Sequence, residues 1–249
     1  MGEHDQQQPQ RPRGTFITFE GIDGSGKSTQ LRMLASRLRL KGADVLTTME
    51  PGGTPLGRRL RAAFLETEES VDPLAELLIF AADRAQHVRF LIQPKLEEGK
   101  IVVSDRYSDA TRAYQGAGRG FPAEMIDRVI ELATDGLKPD LTLYFDLPVE
   151  TALMRTRTRA EGEGAEPKNR MDGETAEFYR RVREAYLETA RREPQRFRTV
   201  DASLSVEEIH ANVSEIVAEF LAQKDTPKES EPPPPPPPLL LPAAKKTTL

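Results

Sequence analysis

The chain has 249 residues and a hydrophobic content of 37%, and its 40 acidic and 35 basic side chains give a net charge of −5. This length and composition suit one large α/β domain with a real core. The acidic balance argues against broad binding to nucleic acid or to an anionic membrane. The chain has no cysteine, which excludes disulfides and thiolate catalysis. No signal peptide or membrane-spanning run is found, so we expect a soluble, cytoplasmic protein.

The two ends of the chain differ in composition from the middle. Residues 1–13 are rich in Gln and Pro, and residues 224–249 include seven consecutive prolines. Neither segment can build a core, so we predict disordered extensions around an ordered domain at 14–223. A docking role for the proline-rich tail is the alternative.

Strand and helix patterns alternate through the ordered domain. Apolar, β-branched runs predict strands at 15–20, 44–49, 101–105, 141–146 and 197–202. Helical patterns lie at 27–41, 56–65, 73–98, 122–135, 149–159, 172–192 and 205–222. This alternation predicts a five-stranded parallel sheet with helices on both faces. Ligands of such sheets bind beyond the carboxyl ends of the strands.

The first strand runs into GIDGSGKST, which fits the phosphate-loop pattern GxxxxGK[S/T]. Glycines allow the loop amides to point inward on phosphates, Lys27 adds a mobile cation, and Ser28 offers an oxygen to Mg²⁺. The alternative is a glycine-rich turn with a hydroxyl cap. We predict an ATP site made of Gly21, Ile22, Asp23, Gly24, Ser25, Gly26, Lys27, Ser28 and Thr29.

The phosphate loop does not by itself define a reaction, because switches, motors and kinases share it. Three further motifs narrow the choice: EPGGTPLGRRLR at 50–61, FAADRAQH at 80–87 and SDRYSDATRAYQGAGRG at 104–120. With the loop, they resemble the thymidylate kinases over residues 15–222. The resemblance implies a P-loop NTPase three-layer sandwich that transfers the γ-phosphate of ATP to dTMP with Mg²⁺, giving dTDP for dTTP synthesis. It also implies a homodimer.

Two other functions compete with this one. A kinase for another nucleotide would share the loop, although the residues of the resemblance favour thymine. A nucleotide-driven switch would bind Mg-ATP and transfer nothing. It would carry partner-binding insertions instead of a base pocket, and the proline-rich tail is the one candidate.

The acceptor nucleotide is assigned to residues of the three later motifs. Phe80 and Arg84 lie four residues apart and share a helix face. Spacing alone favours a core Phe beside a solvated Arg, whereas the resemblance implies that Phe80 stacks on thymine and Arg84 binds its exocyclic oxygen. The resemblance implies further contacts to the sugar and base from Asp23, Thr111, Tyr114 and Gln115.

The acceptor phosphate is assigned to Arg106, with Arg61 as its partner, because a guanidinium fork matches phosphate oxygens. Asp105 orients Arg106 or binds Mg²⁺ through a water in this interpretation, and a structural Asp–Arg ion pair is the alternative. Glu50 and Pro51 of EPGGT complete the predicted acceptor site.

The chain departs from the family pattern just before this Glu-Pro pair. Family members commonly have Arg there, whereas this chain has Met49. Arg58 and Arg59 are nearby in sequence and could compensate.

A basic lid is predicted at 154–172. Arg155 and Arg159 share a helix face, and a solvated basic helix end is the alternative. Gly24 stands where some relatives carry Arg, which resembles the bacterial subgroup that supplies catalytic arginine from the lid. We therefore predict Lys27, Arg106, Arg155 and Arg159 as catalytic residues, followed by Arg170.

Overall fold

A computed structural model describes residues 13–67, 69–161 and 170–225. Five strands form one parallel sheet in the order β2-β3-β1-β4-β5. They are β1 (Thr15–Glu20), β2 (Val45–Met49), β3 (Ile101–Asp105), β4 (Leu141–Asp146) and β5 (Phe197–Asp201). The predicted extensions up to residue 12 and from residue 226 lie outside the described residues, as do 162–169 of the predicted lid.

Helices connect successive strands. They are α1 (Lys27–Leu40), α2 (Pro55–Leu65), α3 (Pro73–His87), α4 (Gln93–Glu97), α5 (Ser108–Thr111), α6 (Ala123–Thr134), α7 (Val149–Glu161), α8 (Ala176–Arg192) and α9 (Val206–Asp225). Wider π-helical segments follow α3 at Val88–Ile92 and α5 at Arg112–Gly118, and a 3₁₀ turn lies at Arg170–Gly173. Among the described residues, no helix has the length and apolar content needed to cross a membrane.

Two helix predictions need correction. The sequence patterns gave no helix at 108–118, where the structure has α5 and a π-helical segment. The predicted start of α8 at residue 172 is wrong, because the Thr175 hydroxyl accepts a hydrogen bond from the Phe178 amide at 3.1 Å and caps the helix there.

Side chains alternate along the central strands and fill a core on each face of the sheet. Phe16 and Val102 pack with Ile92 on one face, whereas Ile17 packs in the larger cluster with Leu34 of α1. Each fully buried side chain of this kind stabilises the fold by about 1.5–3 kcal/mol. The predicted three-layer sandwich is therefore confirmed.

The strand order places the chemical motifs side by side. β1 and β3 are neighbours, with Phe19 opposite Asp105 in the register. β2 flanks β3, with Met49 opposite Asp105. The phosphate loop, the segment after Asp105 and the Glu50 segment therefore leave the sheet at one edge, where parallel sheets bind ligands.

Candidate active site

The phosphate loop wraps tightly between β1 and α1. Gly26 has φ 85° at the start of α1, a left-handed conformation that favours glycine. Gly24 has φ 83°, and a Cβ atom there would lie 2.6 Å from the carbonyl oxygen of Ala152 in α7. The loop therefore packs directly against α7, with no room for a side chain at residue 24.

Lys27 is buried at the start of α1. Its Nζ donates to the carbonyl oxygen of Ile22 at 3.0 Å, across the loop. Burial lowers the pKa of Lys27, and the positive charge of Arg106 lowers it further. An anion bound between these two cations would remove their repulsion, as expected of a phosphate site.

Ser28 and Asp105, the two predicted metal ligands, are in contact. The Ser28 hydroxyl donates to Oδ2 of Asp105 at 2.7 Å. A hydroxyl and a carboxylate are oxygen donors of the kind that Mg²⁺ prefers. The donor chemistry of this pair therefore fits magnesium.

Arg106 has a strained backbone beside the loop. Its φ is 70°, which is uncommon for a residue with a side chain. Two anchors hold the turn: the Arg106 amide donates to Phe19 at 2.9 Å, and the next amide, of Tyr107, donates to Oε1 of buried Glu20 at 2.8 Å. Strain of about 1–3 kcal/mol persists only where the surroundings fix it in this way.

This turn directs the Arg106 guanidinium into the site. Nη2 donates to Oδ1 of Asp23 at 2.8 Å, and the guanidinium carbon lies 4.8 Å from the centre of the Tyr114 ring. Nη1 is buried and has no hydrogen-bond partner within the described part of the chain. A buried donor left over in this way is available to an anionic ligand.

One cavity gathers ten of the eleven predicted acceptor residues, and we call it the acceptor cavity. It is lined by Asp23, Glu50, Pro51, Arg61, Leu65, Phe80, Asp83, Arg84, Arg106, Ala110, Thr111, Tyr114, Gln115 and Met171. The eleventh residue, Asp105, does not line the cavity and accepts a hydrogen bond from Ser28. Four lining residues were not predicted: Leu65, Asp83, Ala110 and Met171.

Arg84 is locked in place at one end of the acceptor cavity. Only 3% of it is exposed, so the alternative of a solvated arginine is wrong. Its guanidinium donates to Glu50 at 2.8 Å, to the Thr111 hydroxyl at 2.8 Å and to the Tyr107 carbonyl at 3.0 Å. Phe80, one turn earlier, is partly buried and packs edge-on against Phe64, with 4.8 Å between the ring centres.

Glu50 forms a buried ion pair with Arg84. One carboxylate oxygen accepts from Arg84 and the other from Nδ1 of His87, both at 2.8 Å. Burial opposes ionisation of Glu50, but Arg84 and His87 outweigh it and keep the pKa of Glu50 below its ordinary value. Glu50 therefore fixes the Arg84 guanidinium, and it also lines the cavity.

Met49, the residue just before Glu50, does not line the acceptor cavity. Met49 is 47% exposed at the end of β2. Arg61 lines the cavity and donates to the Pro51 carbonyl at 3.1 Å. Arg58 and Arg59 are exposed and do not line the cavity, so neither takes the place of the missing arginine here.

Arg155 and Arg170 of the predicted lid do not line the acceptor cavity. Arg155 is exposed, and its Nη1 donates to the Ala202 carbonyl at 3.1 Å, just beyond β5. The backbone of Arg159 belongs to α7, and its side chain lies outside the described part of the structure. Arg170 donates to Glu76 at 2.8 Å.

Asp83 is a buried carboxylate that the sequence patterns did not single out. Its Oδ1 accepts from the Gly52 amide at 3.1 Å, and its Oδ2 has no hydrogen-bond partner within the described ranges. Burial and the neighbouring charge of Glu50 raise the pKa of Asp83 to about 6.

We expect Asp83→Asn to alter the pH dependence of stability. The folded protein binds a proton at Asp83 more tightly than the unfolded chain does, because the pKa is raised from 3.8 to about 6. The free energy of unfolding of the wild type should therefore fall by about 2–3 kcal/mol as the pH rises from about 4 to about 7. The variant should not show this fall. Urea unfolding across this range measures the difference, with exposed Asp127→Asn as the control. Parallel curves for Asp83→Asn and wild type would contradict the prediction.

Comparisons with known proteins agree with this geometry. The family model for thymidylate kinase matches residues 19–213. The thymidylate kinase of Pelobacter propionicus is 50% identical over 197 residues, which cover 79% of this chain and 90% of the relative. That of Trichlorobacter lovleyi is 45% identical over 208 residues, which cover 83% of this chain and 98% of the relative.

A solved structure shares the fold as well as the sequence. The thymidylate kinase from Ehrlichia chaffeensis superposes with a TM-score of 0.67 at 34% identity, covering 83% of this chain and 100% of that structure. The chain therefore belongs to the thymidylate kinase family, whose members phosphorylate dTMP to dTDP with ATP.

Proposed function

We propose that the chain binds dTMP in the acceptor cavity and there transfers the γ-phosphate of Mg-ATP to the dTMP phosphate by in-line displacement. One observation carries this proposal: the cavity extends from Asp23 and Arg106, beside the phosphate loop, to Phe80 and Arg84. An acceptor phosphate near Arg106 would face the loop, while its base reaches Arg84.

The donor side of the site is the phosphate loop. Its amides and Lys27 bind the β- and γ-phosphates of ATP at the positive end of α1. Ser28 and Asp105 would supply oxygen ligands to Mg²⁺. The ion neutralises phosphate charge.

The acceptor side divides into a phosphate end and a base end. Arg106 binds the acceptor phosphate with Nη1, which has no hydrogen-bond partner among the described residues, and Arg61, which also lines the cavity, assists. Asp23 accepts from the 3′-hydroxyl of the sugar while it remains paired to Arg106. Phe80 stacks on thymine, and Arg84 donates to its exocyclic oxygen.

The chemistry needs no general base. The second pKa of a phosphate monoester is about 6, so dTMP is largely dianionic at neutral pH. The main barrier is the repulsion between two polyanions, and Lys27 and Arg106 offset it by fixed positive charge. Arg155 and Arg159 are proposed to add charge from the lid, for which Arg155 would exchange the Ala202 carbonyl for a phosphate oxygen.

A homodimer is also proposed. Leu74 and Leu78 of α3 are 41% and 53% exposed, and Leu132 of the adjacent α6 is 79% exposed. Exposed apolar side chains on two helices that pack together favour an interaction surface.

Turnover across a panel of nucleoside monophosphates tests the proposed substrate. Coupled ADP release should be fastest with dTMP, because Arg84 and Gln115 line the base end of the cavity, and water alone should support little. Phosphate transfer is checked directly by detecting dTDP. If ADP release with dTMP equalled release without an acceptor, the proposal would fall and a nucleotide-driven switch would fit better.

A further inference from the structure

Glu76 is a fully buried carboxylate on α3 that three segments of the chain contact. It accepts from Nε2 of Gln115 at 2.7 Å, from Nη2 of Arg119 at 2.9 Å and from Nη2 of Arg170 at 2.8 Å. Nη2 of Arg119 also forms an ion pair with Oε1 of Glu174 at 2.6 Å. Glu76 therefore accepts hydrogen bonds from two guanidiniums and an amide, and a carboxylate paired in this way acts as an acceptor only.

The Glu76 carboxylate determines the orientation of the Gln115 side-chain amide, because it accepts from the amide nitrogen. A glutamine amide has nearly the same shape when its nitrogen and oxygen are exchanged, so its hydrogen-bond partners set its orientation. With the amide nitrogen on Glu76, the carbonyl oxygen is left for the acceptor cavity, which Gln115 lines. A flipped amide would place that oxygen against the carboxylate, and the two acceptors would repel each other.

Arg84, which also lines the cavity, has the opposite polarity. A guanidinium carries five N–H groups, and three of them are used by Glu50, Thr111 and Tyr107. The cavity therefore presents leftover donors from Arg84 and an acceptor from Gln115. A 4-oxo pyrimidine complements this pair with an acceptor at O4 and a donor at N3–H. A 4-amino pyrimidine has the reverse order.

We propose that Glu76 is a positioning residue for base selection. It fixes the Gln115 amide so that the cavity accepts a 4-oxo pyrimidine and rejects a 4-amino pyrimidine. This inference rests on the proposed function, because it requires the base of the acceptor nucleotide to lie between Arg84 and Gln115.

The test compares dTMP with dCMP in Glu76→Gln. A glutamine at residue 76 can donate to the Gln115 carbonyl and so allow the amide to flip, while Glu174 still holds Arg119. The ratio of kcat/KM for dTMP to that for dCMP should fall about tenfold or more, with KM for ATP unchanged. Asp140→Asn is the matched control, because Asp140 accepts from the Phe16 amide at 2.7 Å, at the opposite end of the strands. It should leave the ratio unchanged.

A second variant covers the case in which Glu76→Gln does not fold. Gln115→Leu keeps Glu76 and both arginines and should lower the same ratio, and adding Glu76→Gln to it should lower the ratio no further. An unchanged ratio in either folded single variant would overturn the inference. The inference would also be overturned if adding Glu76→Gln to Gln115→Leu lowered the ratio by as much as Glu76→Gln does alone. Wild-type turnover separates the two proposals: without dTMP turnover the proposed function fails, whereas an unchanged ratio with active wild type removes only the role of Glu76.

Discussion

Arg106→Ala is expected to lower kcat/KM for dTMP by about 10³-fold or more. The guanidinium is held by a strained turn at φ 70° and ends in a buried nitrogen without a hydrogen-bond partner among the described residues. Its loss removes a fixed positive charge from the point where two polyanions must meet. ATP affinity should persist, because the loop loses only the contact of the Asp23 side chain with Arg106 and keeps its backbone amides and the Lys27 hydrogen bond to the Ile22 carbonyl. Steady-state kinetics with dTMP and equilibrium binding of ATP measure the two effects.

Arg112→Ala is the matched control for this loss. Arg112 also belongs to the segment after β3, but its Nε donates to Asp127 at 3.0 Å and it does not line the acceptor cavity. Its removal should change kcat/KM little. Arg106→Lys should recover only part of the activity, because lysine restores the charge without the fork. Equal kcat/KM in Arg106→Ala and wild type would remove Arg106 from the site.

Glu50→Gln is expected to destabilise the fold by about 3–5 kcal/mol, the usual cost of breaking a buried ion pair from one side. The variant leaves the buried Arg84 guanidinium without its counterion and weakens the hydrogen bond to His87. KM for dTMP should rise as well, because Arg84 loses its support. Urea denaturation gives the stability, and kinetics on the folded fraction give KM.

The pH dependence of this loss has a definite sign. The pKa of Glu50 is lower in the folded protein than its ordinary 4.5, so its contribution is fully present above that value. The contribution disappears as the pH falls through the folded-state pKa, and the difference between variant and wild type should shrink in acid. Glu150→Gln, at an exposed pair with Arg180, should change stability little at any pH. A Glu50→Gln protein as stable as wild type at neutral pH would contradict the ion-pair argument.

The sequence predicted the sheet closely because each strand is a short apolar run between helical patterns. The strands agree with the structure to within one residue at each end. The segment at 108–118 was missed because Gly116 and Gly118 look like a loop in sequence. A Cβ at Gly118 would lie 2.5 Å from the Phe178 ring, so the small residue permits close packing against α8 rather than a turn.

Ligand-facing residues were easier to predict than the residues that support them. Asp23, Arg84 and Arg106 belong to recognisable motifs, and the structure brings them to one cavity. Glu76 and Asp83 escaped notice because their surroundings depend on partners 31 or more residues away, such as Gly52 and Gln115. A single sequence carries no local signal for such contacts. Roles for individual arginines in the lid remain predictions.

The close contact between Gly24 and Ala152 has a consequence for how relatives of this chain can diverge. If an arginine stood at residue 24, its first side-chain carbon would fall in space that the backbone of α7 already occupies. Acquiring that arginine would require α7 to retreat in the same step. A side chain at residue 24 therefore demands a concerted change in α7, which a single substitution does not supply.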